Sequence, residues 1–487
     1  MNRTRFSSAL AMAALAAILL PAFLHAQITF KRTYGGSSDD LGYSVEQTVD
    51  GGYVVAGTTR SFGAGGWDVY LIKTDSIGDT LWTKTFGDTN AEVGYSICQT
   101  SDGGCIIAGK TEGLMGNGDA YVVKTDANGE TLWTRTYGVL TGSANAVLSV
   151  QQTGDSGYIL AGYEYLDGDS RVHLIKTNPS GDTLWTKHYI AVHTQEYFGE
   201  SVEQTKDGGY IIAGHTNSHY DSHGDAYLVK TNAEGDSLWT RRCGGSGNDQ
   251  GYSVRQAADG GYITAGYTRS YGAGGADVYL IKTDVNGDTL WTHAFGGARD
   301  DVGYSVQQTA DSDYIIAGYT CSFGAGDADV HLIKTDQNGH AMWTRTFGGT
   351  GDDVGYSVEQ TADGGYIVAG YTNSLGAGGD DVYLIKTDSM GLAVAEQKAN
   401  STRASALSLS CEPNPSSGTT TVRLSPFALR LSPLTLRMYD SQGRMVLSRE
   451  VSTSSFPLST SDLPSGAYFI RCDAAGEHAT ARLVLQR

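Results

Sequence analysis

Seven copies of one unit of about 52 residues run from residue 28 to residue 388 of this sequence. A clean copy reads GYSVEQTADGGYIVAGYT from Gly355 and DVYLIKTD from Asp381, and earlier copies continue with a segment such as TLWTRTFGG. A fixed period of this length is typical of repeat architectures, whose units bury their apolar faces only against neighbouring units. Each copy predicts four short β-strands, and no stretch of the array has the apolar period of a helix.

The repeat is offset at its two ends. The Trp-containing strand occurs only six times, and the seventh unit runs instead into residues 389–394. Residues 28–36 read ITFKRTYGG and align with AMWTRTFGG at 341–349, which places Phe30 at the Trp position. We therefore predict that the segment around Phe30 pairs with residues 383–387 as the missing outer strand. This device closes β-propellers and protects strand edges, so we expect an all-β, seven-bladed β-propeller over residues 27–391.

The strand and turn sequences agree with this fold. Runs such as YIIAGYT and VYLIKT are almost continuously apolar or aromatic, which predicts strands that are buried on both faces. Asp-Gly-Gly recurs at 50–52, 102–104, 207–209, 259–261 and 363–365 and supplies the positive φ that a tight hairpin requires. Trp82 and its counterparts are expected to fill the space between blades rather than to bind a ligand.

The N-terminal segment and the net charge of the chain limit the functions that this protein can have. Residues 1–26 contain Arg3 and Arg5, then an apolar run at 9–20, and then the sequence FLHA at 23–26 directly before Gln27. This order of features predicts a secretory signal peptide. No later stretch approaches 18 apolar residues, so we expect no transmembrane segment. The formal charge is −19, and about −21 without the leader. Such a charge argues against nucleic acid as a partner, since phosphate backbones require clustered Lys and Arg.

The composition changes after Gly391. A polar linker is predicted at 392–405, and residues 406–487 contain only 4 glycines, no Lys, and eight Arg against six acids. Alternating apolar runs separated by turn sequences predict a small antiparallel β-sandwich in this segment.

Four motifs follow one another in that C-terminal segment. They read EPNP at 412–415, LRMYDSQGR at 436–444, LPSGAYF at 463–469 and RLVL at 482–485. In this order they resemble the type A C-terminal sorting domain of type IX secretion; an ordinary β-sandwich module is the alternative. The resemblance implies that residues 406–487 engage the type IX machinery and that the protein is secreted or held at the outer-membrane surface of a Gram-negative bacterium. The motif residues are Pro413, Asn414, Pro415, Tyr439, Asp440, Gly443, Gly466 and Tyr468.

The repeats themselves resemble those of secreted bacterial propellers with a DGGYIIAG signature. They lack the Trp-Asp dipeptide of WD repeats and the glycine doublet of kelch blades, so no activity of those families is carried over. Because the blades are close copies, we expect a binding or scaffold module for extracellular glycan or protein, with no catalytic residues. The alternative is a polysaccharide hydrolase or lyase that uses two carboxylates at the ring mouth. A pair of strongly shifted carboxylates near the axis would favour that alternative.

Two acidic patterns could bind Ca²⁺, although no cofactor is expected. Acidic pairs such as Asp39-Asp40 enter the first strand of several units, at positions 39–40, 300–301 and 352–353, with Asn248-Asp249 in another copy. These pairs could attract cations or bind Ca²⁺ around one mouth of the ring, or they could accept hydrogen bonds from nearby backbone N–H groups. We favour the second interpretation. The segments 75–79, 126–130 and 284–288 look more like Ca²⁺ loops, but each links two strands through a glycine, so we favour plain hairpin turns.

Further candidates lie in single units. His215, His219 and His223 of the fourth unit, with His188, His193 and Asp221, could ligate Zn²⁺ or be ordinary exposed histidines in a polar loop. The loop aromatics that we expect to be exposed for contact are Phe62, Tyr271 and Phe323.

All six cysteines lie after the predicted signal peptide. A secreted protein reaches an oxidising compartment, where disulfide bonds can form. Cys98 and Cys105 flank a hairpin whose expected register sets Cys105 opposite Thr100, so a bridge between them would be distorted. The better pair is Cys411 with Cys472. We expect the last two, Cys243 and Cys321, to be free.

Overall fold

The strands follow from nearly continuous apolar runs and from the turn glycines. The computed structural model describes residues 27–112, 118–138, 144–166, 169–190, 195–218, 223–393, 408–412, 419–425, 434–440, 444–451, 455–474 and 477–485. Within these residues the regular elements are 35 β-strands. The chain divides into two units, one ending at Ala395 and one beginning at Glu396. The predicted signal peptide, residues 1–26, and the predicted linker from residue 394 onward lie outside the described residues.

The first unit contains 28 of the described strands. They are β1 (Phe30–Tyr34), β2 (Asp40–Gln47), β3 (Tyr53–Thr59), β4 (Asp68–Thr74), β5 (Thr80–Phe86), β6 (Glu92–Gln99), β7 (Cys105–Glu112), β8 (Gly118–Thr125), β9 (Thr131–Tyr137), β10 (Ala144–Gln152), β11 (Tyr158–Leu166), β12 (Asp169–Thr177), β13 (Thr183–Tyr189), β14 (Gln195–Gln204), β15 (Tyr210–Ser218), β16 (Ala226–Thr231), β17 (Ser237–Cys243), β18 (Asp249–Gln256), β19 (Tyr262–Thr268), β20 (Asp277–Thr283), β21 (Thr289–Phe295), β22 (Asp301–Gln308), β23 (Tyr314–Thr320), β24 (Asp329–Thr335), β25 (Ala341–Phe347), β26 (Asp353–Gln360), β27 (Tyr366–Thr372) and β28 (Asp381–Thr387).

These strands form four-stranded antiparallel sheets of the kind found in propeller blades, seven of them among the described residues. Six sheets use consecutive strands, and the seventh has the order β1-β28-β27-β26. The predicted pairing of the N-terminal segment is confirmed, since β1 pairs with β28 from Phe30 opposite Lys386 to Tyr34 opposite Val382. Phe30 is buried at the Trp position, and its ring lies 5.9 Å from that of Tyr53 in the next sheet.

Neighbouring sheets pack face to face through apolar side chains. All seven residues of β20 are buried, as the two-sided apolar runs predict. The Trp of one outer strand contacts the Tyr of the next sheet, with ring centroids 6.0 Å apart for Trp185 and Tyr210 and 5.7 Å apart for Trp239 and Tyr262. The predicted packing role of the tryptophans is therefore confirmed.

The Asp-Gly-Gly turns have the predicted geometry. Gly51 has φ of 81°, and a Cβ on Gly52 would lie 2.1 Å from the Thr74 carbonyl oxygen. The first position therefore needs a left-handed backbone and the second needs the absence of a side chain. Two units place serine at the left-handed position, and Ser156 and Ser312 adopt φ of 64° and 70°.

The predicted register at the cysteines is wrong by one residue. Cys105 lies opposite Gln99 rather than Thr100. The reason is that Gly103 adds a bulge to the turn, so that Thr100 closes it by donating its N–H to the Gly104 carbonyl oxygen at 2.9 Å. The free thiols in the structure are those of Cys98, Cys105, Cys243 and Cys321.

The second unit is a smaller all-β body. Its strands are β29 (Ser408–Glu412), β30 (Thr419–Ser425), β31 (Leu434–Asp440), β32 (Met445–Val451), β33 (Ser455–Ser459), β34 (Gly466–Ala474) and β35 (Glu477–Leu485). They form the antiparallel sheets β29-β30-β33 and β32-β31-β34-β35. One apolar cluster joins the two sheets, with Val422 and Leu458 from one and Leu436, Ile470 and Leu483 from the other. This arrangement fits the predicted β-sandwich. The side chains of the proposed Cys411–Cys472 pair are not among those described, so that bridge stays a prediction.

No helix long and apolar enough to cross a membrane occurs among the described residues.

Candidate binding site between the first strands

One cavity of about 220 Å³ is lined by residues from the first strand of each of the seven units. These first strands are β2, β6, β10, β14, β18, β22 and β26. Hydrogen bonds join each strand to the next around the cavity. The Val254 N–H donates to Ser201 Oγ at 3.3 Å, and the same contact joins the first and last units, from the Val45 N–H to Ser357 Oγ at 3.3 Å. The recurring Ser-Val pair therefore holds strands of different units at a fixed distance around the cavity.

One position of these strands places a polar side chain in or beside the cavity, and we call this set the polar ring. Its members are Glu46, Cys98, Gln151, Glu203, Arg255, Gln307 and Glu359. Each glutamate accepts a backbone N–H from the following unit, as for Glu46 with Gln99 at 2.6 Å and Glu203 with Gln256 at 2.5 Å. Arg255 is the only cationic side chain of the polar ring.

Burial perturbs the acids of the polar ring. It raises the pKa of Glu46 to about 7, against the opposing effects of the Gln99 N–H and Arg255. Burial also raises the pKa of Glu203 and of Glu359, and again Arg255 opposes the shift. Burial therefore raises the pKa of all three carboxyl groups, and Arg255 opposes the shift in each.

Three residues before the polar ring, five of the seven strands carry tyrosine, and we call these five residues the tyrosine collar. They are Tyr43, Tyr95, Tyr252, Tyr304 and Tyr356. Neighbouring rings of the collar have centroids between 4.9 and 5.4 Å apart. All five side chains are partly exposed. The third and fourth units interrupt the collar with Leu148 and Glu200.

The fourth unit differs most at the collar. Glu200 takes the Tyr position, and His215 on the adjacent strand β15 takes the place of Tyr267, Tyr319 and Tyr371 of later units. The Nδ1 atom of His215 lies 3.5 Å from Oε1 of Glu200. Burial raises the pKa of Glu200 to about 7 and lowers the pKa of His215 to about 4. Near neutral pH the site therefore holds a neutral imidazole beside a half-ionised carboxyl group.

The acidic pairs that enter the first strands act as caps. Asp40 is buried, and its Oδ2 accepts the Gly36 N–H at 2.8 Å and the Ser61 hydroxyl at 2.6 Å. Asp249, Asp301 and Asp353 make the same contacts in their units. The interpretation that these residues cap local backbone is confirmed.

The segments that resemble Ca²⁺ loops are hairpin turns. Oδ1 of Asp75 accepts the N–H groups of Ile77 and Asp79 at 3.0 and 2.9 Å, and Asp126 and Asp284 repeat this pattern. The carboxylate is thus used within its own turn, as the hairpin interpretation predicts.

The described histidines of the zinc hypothesis face different carboxylates. His188 Nε2 lies 2.7 Å from Glu164 Oε2, whereas His215 faces Glu200. His193, His219 and Asp221 lie outside the described residues. In the part of the chain that the structure describes, no group of three or more His, Cys, Asp or Glu could hold a metal ion. The loop aromatics Phe62, Tyr271 and Phe323 are 45 to 50% exposed, as expected.

The described sorting-motif residues lie at one end of the β31/β34 pair. Asp440 accepts the Arg444 N–H at 3.0 Å and lies opposite Tyr468. Tyr468 is buried and donates its hydroxyl to the Pro464 carbonyl oxygen at 2.9 Å. Tyr439 is the second-last residue of β31, which ends at Asp440, and Gly466 begins β34. Pro413, Asn414, Pro415 and Gly443 lie outside the described residues.

Comparison with protein families identifies the C-terminal segment. Residues 412–486 match the secretion system C-terminal sorting domain. The protein is therefore a type IX secreted protein of Bacteroidetes, extracellular or attached to the cell surface.

Comparison with individual proteins gives weaker likenesses. The chain is 26% identical over 266 residues to the regulatory protein FlaEY of Caulobacter vibrioides, covering 48% of this chain and 26% of that protein. It thus spans about a quarter of that relative's length. Among solved structures it is similar to Sqt1 from Chaetomium thermophilum, with 12% identity, a TM-score of 0.41 and coverage of 70% of this chain and 83% of the other. It is also similar to the polysaccharide lyase Uly1, with 12% identity, a TM-score of 0.42 and coverage of 76% of this chain and 94% of the other. These scores are too low for any activity to be carried over.

Proposed function

We propose that the first unit is a seven-bladed β-propeller, closed by β1, that serves as a binding or scaffold module for extracellular glycan or protein. Closure is supported by contacts between the first and last units: the pairing of β1 with β28, and the Tyr43 and Tyr356 rings at 5.0 Å. The route of export is supported by the sorting domain, with residues 1–26 as the leader and residues 406–487 as the part that engages the secretion machinery.

The tyrosine collar is the observation that carries the binding proposal. Five partly exposed aromatic rings lie on the same strands whose serine, glutamine and glutamate residues, together with valines, line the cavity. Aromatic faces pack against the apolar faces of sugars and side chains, while hydroxyl, amide and carboxyl groups supply hydrogen bonds that orient the ligand. The collar is therefore a better candidate than the dispersed loop aromatics.

Binding of the mature chain to a panel of bacterial polysaccharides and cell-surface extracts tests this function. Replacing Tyr304 and Tyr356 together by alanine removes two adjacent collar rings, and we expect loss of binding. Tyr271→Ala is the matched control, because this tyrosine lies in an exposed loop away from the first strands. Binding that survives the double substitution and is lost in the control would move the site to the loops.

A second candidate function is a polysaccharide hydrolase or lyase. It is favoured by one observation, since Glu46 in the polar ring and Glu200 in the collar both have a pKa raised by burial to about 7. Carboxyl groups perturbed in this way serve as general acids and bases. Incubation of the same panel followed by analysis for shortened products tests this function, and turnover lost in Glu200→Gln would favour the enzyme.

A further inference from the structure

Glu200 is partnered differently from the other glutamates on the first strands. Glu46, Glu203 and Glu359 each accept a backbone N–H at 2.5 to 2.6 Å, and Arg255 lowers the pKa of all three. In the described part of the chain, the one polar contact of Glu200 is with His215, at 3.5 Å. The shift in its pKa has burial as its only cause, with no cation to oppose it.

His215 does not neutralise this carboxylate. The side chain is 8% exposed, its ring stacks on Phe198 at 4.8 Å, and its Nδ1 faces Glu200 without a hydrogen-bond partner among the described residues. Because burial lowers the pKa of His215 to about 4, the imidazole is uncharged at neutral pH. The site thus contains a buried nitrogen without a hydrogen-bond partner among the described residues beside a carboxylate whose pKa no cation lowers, a combination that is costly unless a ligand supplies a cationic donor.

Aromatic rings of neighbouring units lie beside this site. The His215 ring is 6.3 Å from that of Tyr252 in the fifth unit, and Phe198, on which His215 stacks, is 5.2 Å from Tyr163 in the third unit. After burial itself, the charge of Glu200 is among the causes that raise the pKa of Tyr95, Tyr163, Tyr252 and Tyr304. Aromatic rings near a carboxylate favour an organic cation, because the ring face and the carboxylate are both negative.

We propose that the tyrosine collar binds the ammonium group of an amino sugar, with Glu200 as its counter-ion. This assignment rests on the proposed binding function and names its ligand class. The sugar, rather than a lysine side chain, is favoured by the cavity next to the collar, whose serine, glutamine and glutamate groups suit hydroxyls. A lysine side chain would place an apolar stem against the same polar wall.

Calorimetric titration of the mature full-length chain with an oligomer of glucosamine, and separately with the matching oligomer of N-acetylglucosamine, tests the inference. N-acetylation removes the positive charge while keeping the ring and all hydroxyls. We expect the glucosamine oligomer to bind at least about tenfold more tightly, because its ammonium group keeps the contact with the aromatic rings and Glu200 that the acetylated form loses. Equal affinities would overturn the inference.

Variants at two glutamates of the same unit identify the counter-ion. Glu200→Gln should abolish the preference for the amino form, and Glu200→Tyr, which restores the residue of five other units, should do the same while completing the collar. Glu234→Gln, at an exposed position outside the polar ring, should leave the preference intact. A preference that persists in both Glu200 variants would overturn the assignment, and the near-native unfolding midpoint expected of Glu200→Tyr guards against misfolding.

The pH dependence gives an independent measurement. The groups that face Glu200 are His215, Tyr163 and the collar tyrosines, and all stay uncharged between pH 5.5 and 7.5 by the directions of their pKa shifts. Binding should therefore strengthen as pH rises from 5.5 and Glu200 ionises, up to the pH at which the glucosamine amine itself loses its proton, and Glu200→Gln should remove this rise. An unchanged profile in that variant would contradict the proposal.

The outcomes separate this inference from the proposed function. If both oligomers bind equally, or only other glycans of the panel bind, the binding function stands and the cation site is wrong. If a lysine-containing peptide binds and neither oligomer does, the amino-sugar assignment is wrong. If nothing binds, both proposals fail.

Discussion

Glu200 shows how one residue can depart from a sevenfold repeat at a cost in stability. A carboxyl group in a tyrosine-lined recess is harder to ionise than one in water, and its pKa rises to about 7 from 4.5. An acid with a higher pKa in the folded chain binds its proton more tightly there, so stability falls as pH rises from about 4.5 to about 7. The departure therefore opposes folding at neutral pH, which is typical of functional residues.

The first prediction concerns this cost. Glu200→Gln should be more stable than the wild type at pH 8, by up to roughly 3 kcal/mol, because the amide never ionises. At pH 4, where the carboxyl group is protonated in both states, the two proteins should be similar. Urea unfolding at the two pH values measures the difference. Glu234→Gln, at an exposed position of the same unit, should show neither effect, and equal stability of the Glu200 variant and the wild type at pH 8 would count against the burial argument.

The second prediction concerns the strained turns. Ser312 occupies the left-handed backbone position that glycine fills in five units, with φ of 70°. Ser312→Gly should stabilise the protein by about 1 kcal/mol, because it removes the contact between Cβ and the backbone. Thermal unfolding measures this change. Ala310→Gly in the same turn, at a position without positive φ, should be neutral or destabilising, and stabilisation there as well would contradict the explanation.

Residues of this kind were only partly predictable from the sequence. The Tyr-to-Glu change at Glu200 is visible once the seven copies are aligned, but its burial beside His215 depends on strands that meet across units. The polar ring was missed for a related reason. Its seven positions carry four different residue types, so no motif marks them, and only the packing of strands from different units brings Arg255 to the same cavity as Glu46 and Glu359.

At the scale of single elements, each sheet is held by an ion pair between a buried lysine of its third strand and a largely exposed aspartate of its first turn. Lys282 of β20 is almost fully buried and lies 2.8 Å from Asp259 of the Asp-Gly-Gly turn. Equivalent pairs occur in all seven units, with N–O distances of 2.8 to 3.0 Å. The pair connects the turn to the sheet, so the recurrence of Lys in DVYLIKTD and Asp in DGG has one structural cause.

The third prediction uses this pair. Asp259→Asn should destabilise the protein by about 3 kcal/mol, because it leaves the Lys282 charge buried without its partner. Adding Lys282→Met should recover much of the loss, since the apolar side chain needs no counter-charge. Denaturant unfolding of the single and double variants measures the coupling. Asp236→Asn, which breaks the exposed pair with Lys187, should have little effect, and a double variant no more stable than Asp259→Asn would contradict this account.

The elements themselves were predictable because local and nonlocal signals agree. Apolar runs predict the buried strands and Asp-Gly-Gly predicts the hairpins, and both are found in the structure. The register at Cys105 was not predicted correctly, because a single bulge at Gly103 shifts the pairing by one residue. Such bulges depend on backbone angles that residue types restrict only weakly.

At the scale of the whole first unit, the pairing of β1 with β28 joins segments about 350 residues apart. The offset of the repeat predicted this pairing, because a strand missing at one end was present at the other. The sequence does not determine what the cavity binds, since the fold places no constraint on the residues that project into it.

The fourth prediction concerns this junction. Phe30→Ala should destabilise the first unit by about 3 to 4 kcal/mol, because Phe30 is 5% exposed and packs between the last and first sheets. Thermal unfolding monitored by tryptophan fluorescence measures the effect. Ile28→Ala, two residues earlier and 41% exposed, should have little effect. Similar losses in the two variants would indicate that β1 does not pack as described.

The dependence of β28 on a strand from the other end of the chain has a consequence for assembly. Until β1 arrives, β28 presents an unoccupied edge, and at high concentration the β1 segment of a second molecule can occupy it as readily as its own. Refolding at high concentration should therefore yield exchanged dimers that dilute refolding avoids.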